Sequence, residues 1–156
     1  MTENRDVESV ERTIPQPAEA IFAFLADPRR HREIDGSGSV GAATSGPERV
    51  KLGDQFTMAM KLVVPYKMVS TIIEFEDNRR IAWQSRSPGL SGGFTGGRIW
   101  RYELEPVEGG TRVRESWDIS QEKATKAILR LGRVRQHTRE SMEATLEKIE
   151  KLLADS

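Results

Sequence analysis

The hydrophobic pattern of this chain changes period near its end. From Glu122 to about Ala154 there is no proline, and small or apolar residues fall at Ala124, Ile128, Leu131, Val134, Thr138, Met142, Leu146, Ile149 and Leu153. Steps of three and four draw one stripe along a single long helix, with charge on its other faces. Such a helix spans about 45–50 Å at 1.5 Å per residue and must lie against an apolar surface to be stable. Asp118 or Ser120 is placed to cap it, with Gln121 three residues after Asp118 as in a capping box.

The earlier segments alternate with period two instead and read as strands: Val7–Ile14, Ser39–Thr44, Asp54–Lys61, Tyr66–Glu76, Arg79–Ser85, Arg98–Pro106 and Thr111–Ile119. Asp77-Asn78 and Glu108-Gly109-Gly110 mark hairpins. Between the first two strands, Pro17 opens a short helix in which Ile21, Phe24 and Leu25 share a face, and Arg29–Glu33 gives one further turn before Asp35-Gly36-Ser37-Gly38. The expected class is α+β, with helices on one face of an antiparallel sheet. Alternation turns Trp100, Tyr102 and Leu104 inward, together with Phe56, Met58 and Met60, Ile81 and Trp83, and Val113, Glu115 and Trp117. These large side chains either fill a core or line a cavity. A strongly curved sheet facing one helix tends not to close, which favours a cavity.

Composition narrows the functional classes. The 156 residues fit one soluble domain, and lysine plus arginine balances aspartate plus glutamate at 24 each, so bulk charge does not point to nucleic acid. Without cysteine there is no disulfide, thiolate metal site or cysteine nucleophile. Met1–Asp6 carries no signal-peptide pattern, and the longest apolar stretch, Met58–Val64, is broken by Lys61, well short of the ~20 residues of a membrane span. A cytoplasmic protein without integral membrane association is expected.

The segments VERTIPQPAEAIFAFLADP at 10–28, HREIDGSG at 31–38, PYKMVSTIIEFEDNRRIAW at 65–83 and GRIWRYELEPVEGGTRVRESWD at 97–118 resemble the polyketide cyclase/dehydrase family of the START-like (SRPBCC, Bet v 1-like) superfamily. The resemblance runs over roughly residues 7–154, and the whole of 1–156 is expected to be one such domain. It implies a helix-grip fold: a curved seven-stranded antiparallel sheet wrapped around the long C-terminal helix, with two short helices after the first strand. It also implies a deep pocket for a lipid-, polyketide- or steroid-like guest, and makes the first and last strands neighbours. Only some members of the superfamily are enzymes, and a fold does not transfer an activity.

Candidate chemistry is sparse. Phe56, Met58, Met60, Trp83, Trp100, Tyr102, Trp117 and Met142 are the expected ligand-binding wall, and Glu115, Tyr102 and His31 the available acid–base groups for a cofactor-independent cyclase, aromatase or dehydratase. A cochaperone-like interaction module is a third reading. Gly89-Leu90-Ser91-Gly92-Gly93 matches G-x-S-x-G, but a strand rather than a helix follows. Gly92–Gly97 resembles a phosphate loop with Arg98 in place of lysine, and the glycine-rich loop Pro88–Gly97 reads better as a lip of the pocket. His31, Glu33 and Asp35 are metal-compatible residue types, yet their spacing in a turn fits a solvated segment better, so neither metal nor cofactor is expected. Residues 123–139 carry six basic side chains and no acid. They form either a face paired with acids on the strands or a basic rim for an anionic head group. The expected partner is a hydrophobic small molecule and not nucleic acid, with the chain a monomer or homodimer. Glu115, inward on an apolar face, needs compensation, and a cross-strand ion pair with Arg12 is the expected solution, in which case Glu115→Gln would destabilise the fold.

Overall fold

A computed structural model describes residues 5–61, 65–88, 94–122 and 125–155. Seven strands, β1 (Val7–Ile14), β2 (Val40–Ser45), β3 (Gln55–Lys61), β4 (Pro65–Glu76), β5 (Arg80–Pro88), β6 (Phe94–Val107) and β7 (Gly110–Asp118), form one antiparallel sheet in the order β1-β7-β6-β5-β4-β3-β2. Between β1 and β2 lie α1 (Ala18–Leu25), a 3-10 turn (Pro28–Arg30) and α2 (His31–Ile34). Two helices follow β7: α3 (Lys126–Leu129) and α4 (Gly132–Ala154). This is the expected helix-grip architecture, with the first strand paired to the last. No helix among the described residues is long and apolar enough to cross a membrane.

Local chemistry explains the elements. In the β4–β5 hairpin, Asn78 takes a left-handed φ of 62°, which its short polar side chain tolerates. In the β6–β7 hairpin, Gly109 takes φ 85° between paired Val107 and Gly110. Register shifts between Ile72 and Glu74, and between Ser85 and Arg86, add the local bend a sheet needs to curve. Outward positions carry ion pairs across neighbouring strands, Arg80 with Glu103, Arg114 with Glu11 and Arg112 with Glu105, and Arg101 on β6 reaches over β5 to Glu74 on β4. Inward positions form the core with α1 and α4, including Ile14, Ile21, Phe22, Leu25, Ile81, Val113, Leu146 and Ile149.

The C-terminal helix corrects the sequence reading. It is not continuous from Glu122: α3 ends at Leu129, Leu131 is extended (φ −61°, ψ 137°), and α4 begins at Gly132. Glycine in a helix interior costs about 1 kcal/mol relative to alanine, and here it marks the boundary. The break also rephases the apolar stripe. Ile128 and Leu131 are exposed, whereas Leu129 and Val134 pack on the core. Asp118 does not cap the helix, because its Oδ1 accepts from the Ser120 amide at 2.9 Å in a local turn. At 23 residues α4 spans about 35 Å.

The turn after α2 fastens α4 to the other end of the fold. The Gly36 amide donates to Thr145 Oγ1 at 3.0 Å, and Lys148 Nζ donates to the Asp35 carbonyl at 2.6 Å. A Cβ on Gly36 would lie 2.2 Å from the Ser141 carbonyl oxygen and 2.7 Å from the Thr145 amide nitrogen, both helix backbone. Gly36→Ala is therefore expected to cost about 1–3 kcal/mol in urea unfolding. Gly132→Ala, with nothing within 4 Å of an added Cβ, should leave stability unchanged or raise it. Equal stability of the two variants would contradict this close approach.

Candidate functional site

Between the inner face of the sheet and α4 lies a cavity of about 590 Å³. Its lining includes all eight expected wall residues: Phe56, Met58, Met60, Trp83, Trp100, Tyr102, Trp117 and Met142. It also includes all three acid–base candidates, His31, Tyr102 and Glu115. Strand alternation delivers the sheet residues, and α4 contributes Val134, Thr138, Ser141, Met142 and Thr145. The innermost walls are buried, whereas Met60, Tyr66, Arg98 and Trp100 are partly exposed. A second depression of about 420 Å³ touches the outer ends of the strands, where Arg80–Glu103, Arg112–Glu105 and Arg114–Glu11 pair with one another. It offers no dry wall.

The aromatic side chains form a connected stack. The His31 ring lies on Trp83 (4.8 Å between centroids, 19° between planes), and Trp83 lies on Tyr102 at 5.6 Å. His31 Nε2 donates to the Leu25 carbonyl at 2.9 Å, which fixes the neutral tautomer with Nδ1 unprotonated. Burial holds the imidazole below its ordinary pKa, against the weaker pull of the Leu25 carbonyl. His31 is thus anchored in the cavity wall. Glu33 pairs with Arg30 at 3.1 Å, and the Asp35 carboxylate accepts from Ser37 and from the Val40 amide. These three residues do not converge, and among the described residues no cluster is arranged to hold a metal ion.

Glu115 is inward as alternation requires, at 2% exposure, but its partner is not Arg12. Tyr102 donates its hydroxyl proton to Glu115 Oε1 at 2.7 Å, and Oε2 has no partner among the described residues. Arg12 does occupy the helix-facing phase of β1, where it reaches past the sheet to Glu150 on α4 at 2.5 Å. The reason is register: Glu115 stands opposite Val10, and Arg12 stands opposite Val113. A long guanidinium one step further along β1 finds the exposed helix carboxylate more easily than a dry one. With no cation beside it among the described residues, burial pushes the Glu115 carboxyl up to about 8; the Tyr102 hydrogen bond opposes this and the charge of Asp35 reinforces it. Tyr102 is in turn raised well above the ordinary phenol value by its own burial first and by Glu115 second.

Other site residues escaped the sequence reading. Ser70 and Ser85 share a buried hydrogen bond of 2.8 Å on the cavity wall. Arg98 lines the same wall and pairs at 3.1 Å with Glu122, whose side chain is almost fully buried and accepts from Thr125. The signal was available, because Arg98 is in phase with Trp100 and Ser85 with Trp83. Four side chains in the basic half of the C-terminal segment pair with acids in and just before the first strand. Lys126 and Arg130 meet Asp6, and Arg135 and Arg139 meet Glu8. The G-x-S-x-G match at 89–93 lies outside the described residues, as does the middle of the expected lip.

A curved sheet gripping one long helix around an aromatic- and methionine-walled cavity defines the helix-grip class. The model of the family described as "Polyketide cyclase / dehydrase and lipid transport" matches residues 7–154, and the chain belongs to that family. It is 33% identical over 141 residues to the uncharacterized protein Rv0088 of Mycobacterium tuberculosis. That alignment covers 87% of this chain but 59% of the relative, so the chain spans little more than half of that protein's length. Protein Ms6760 of Mycobacterium smegmatis shares the fold at a TM-score of 0.71 and 18% identity, covering 97% of this chain and 92% of that one. The Polyketide_cyc-like protein Cgl2372 of Corynebacterium glutamicum does so at 0.65 and 22% identity, covering 99% and 94%.

The corrected partner of Glu115 reverses the effect of neutralising it. A carboxyl raised in the folded state contributes stability that is fully present below its unfolded value near 4.5 and is lost as pH rises toward about 8. Glu115→Gln mimics the protonated acid and escapes that loss. Its thermal midpoint should match wild type near pH 5 and exceed it by an amount worth on the order of a few kcal/mol at pH 8.5. A Glu115→Gln variant that is less stable at every pH would mean an ionised, paired carboxylate.

Proposed function

We propose that the chain binds a hydrophobic or amphipathic small molecule, of lipid-, polyketide- or steroid-like character, between the sheet and α4. The observation that carries this reading is the cavity of about 590 Å³ walled by three tryptophans, Phe56, Tyr102 and four methionines. Cavities in this size range, mostly apolar with a few placed polar groups, are the ordinary form of small-molecule sites. Thioethers make the wall adaptable to irregular guests. The family description, which includes lipid transport, points the same way.

A second reading, a cyclase, aromatase or dehydratase working without a cofactor, is favoured by the Tyr102–Glu115 pair. An acid held near neutral pKa in a dry site is suited to proton transfer to a bound carbonyl. Binding is the more economical reading, since burial opposes the imidazolium that His31 would become as a base and keeps Tyr102 a neutral phenol. Turnover of a polyketide-like substrate that ceases in Glu115→Gln would decide for the enzyme.

The binding reading is tested with N-phenyl-1-naphthylamine, an uncharged apolar fluorophore. Wild type should bind it with a fluorescence gain, and Met58→Trp, which fills the cavity from β3, should weaken binding by about tenfold or more with little change in thermal midpoint. Equal binding by the filled variant would place the dye elsewhere and contradict the reading.

A further inference from the structure

Near the start of β6 an arginine is built into the cavity wall. The two strands lose register there: Ser85 stands opposite Arg98 and Arg86 opposite Gly96, so Gly97 is the extra residue of a bulge in β6. Gly96 and Gly97 take φ of 103° and 123°, a region glycine enters freely and other residues rarely. Their lack of side chains also admits the segment that follows β7. A Cβ on Gly97 would lie 3.0 Å from the Gln121 carbonyl oxygen, and one on Gly96 3.7 Å from Glu122 Oε1. The buried Glu122 carboxylate thereby reaches Arg98, whose Nε donates to Oε1 at 3.1 Å, while Thr125 Oγ1 donates to Oε2 at 2.9 Å.

This pair differs from the ion pairs on the outer face of the sheet. Arg101 gives both Nε and Nη2 to Glu74, whereas Arg98 gives Glu122 its Nε alone. Among the described residues neither Nη of Arg98 has a hydrogen-bond partner, so four N–H donors of the guanidinium are unused. The side chain lines the cavity and keeps 32% of its surface exposed, which leaves it within reach of a guest. It is also the only lysine or arginine of the lining among the described residues. Trp100 and Tyr102 follow it on the same face of β6, which puts Arg98 about 13 Å from the Tyr102–Glu115 pair. The cavity therefore has a cation at one end and a carboxyl group at the other.

We propose that Arg98 is the head-group site of the cavity and binds the carboxylate of an amphipathic guest, whose apolar chain runs over Trp100 and Trp83 toward Tyr102. This inference rests on the binding reading above and narrows its ligand class. The planar guanidinium offers parallel N–H donors that match the two oxygens of a carboxylate. One arginine already shared with Glu122 does not balance a dianion, so a single negative charge fits better than a phosphate. Glu122 is a positioning residue: it fixes the Nε side of the guanidinium and leaves the Nη groups to the guest.

The test is calorimetric titration at pH 7.5 with decanoate and 1-decanol, which share a chain length and differ in the head. Wild type should bind decanoate about tenfold more tightly than the alcohol. Glu122→Gln, whose amide oxygen still accepts from Arg98 Nε, should keep that preference. The paired variant Arg98→Met/Glu122→Gln keeps an unbranched stem at 98 and leaves no buried carboxylate without its cation. It should bind both ligands equally, at the wild-type affinity for the alcohol, which shows that the cavity is intact. A tie that only fastened β6 to the segment after β7 would not move the ratio of the two affinities. If wild type binds the alcohol as tightly as decanoate, or the paired variant keeps the preference, the head-group site is overturned while the apolar cavity stands. If neither ligand binds wild type, the small-molecule reading itself fails and the site with it.

Discussion

The structure depends on how α4 meets the sheet. Its second half is fully engaged: Met142, Thr145, Leu146 and Ile149 are buried, Gly36 touches the helix backbone, and Arg12 reaches Glu150. Its first half is held instead by charge, through Arg135 and Arg139 on Glu8, while Val134, Thr138 and Ser141 border the cavity. One rigid anchor and one polar tether hold the helix across a curved sheet without filling the gap beneath it. Interiors are normally packed like crystals, so a gap of this size persists only where the surrounding framework cannot collapse onto it.

Everything chemical in the cavity follows from that failure to close. Dryness lowers the pKa of His31 and raises those of Tyr102 and Glu115, each by penalising its charged form. The same burial makes the Tyr102–Glu115 hydrogen bond worth more than it would be at a wet surface. The two proposed readings, binding and catalysis, both start from this arrangement.

Much of this was legible in the sequence because strand alternation is a strict code. Period two alone placed Trp83, Trp100, Tyr102, Glu115 and Trp117 on one face, and all five line the cavity. What was not legible involves long-range geometry. The Arg12–Glu115 pair failed because phase says which face a side chain occupies but not how far along the strand its partner stands, and Arg12 is in register with Val113. The helix break at Leu131–Gly132 was hidden by an apolar stripe that runs through it, although Gly132 was its local sign. Ser70, Ser85 and Arg98 were overlooked because polar residues on an inward phase look like exceptions until the cavity that admits them is seen.

The protonation state of Glu115 tests this picture most directly. Carbon-13 NMR of the Glu115 side-chain carboxyl, followed from pH 4 to pH 10 and assigned by loss of the signal in Glu115→Gln, reads it without reference to any ligand. A carboxyl that remains protonated at neutral pH and titrates near 8 is the expected result. Titration near the ordinary value of about 4.3 would show a solvated or paired carboxylate, and with it a cavity that is neither dry nor built around a neutral acid.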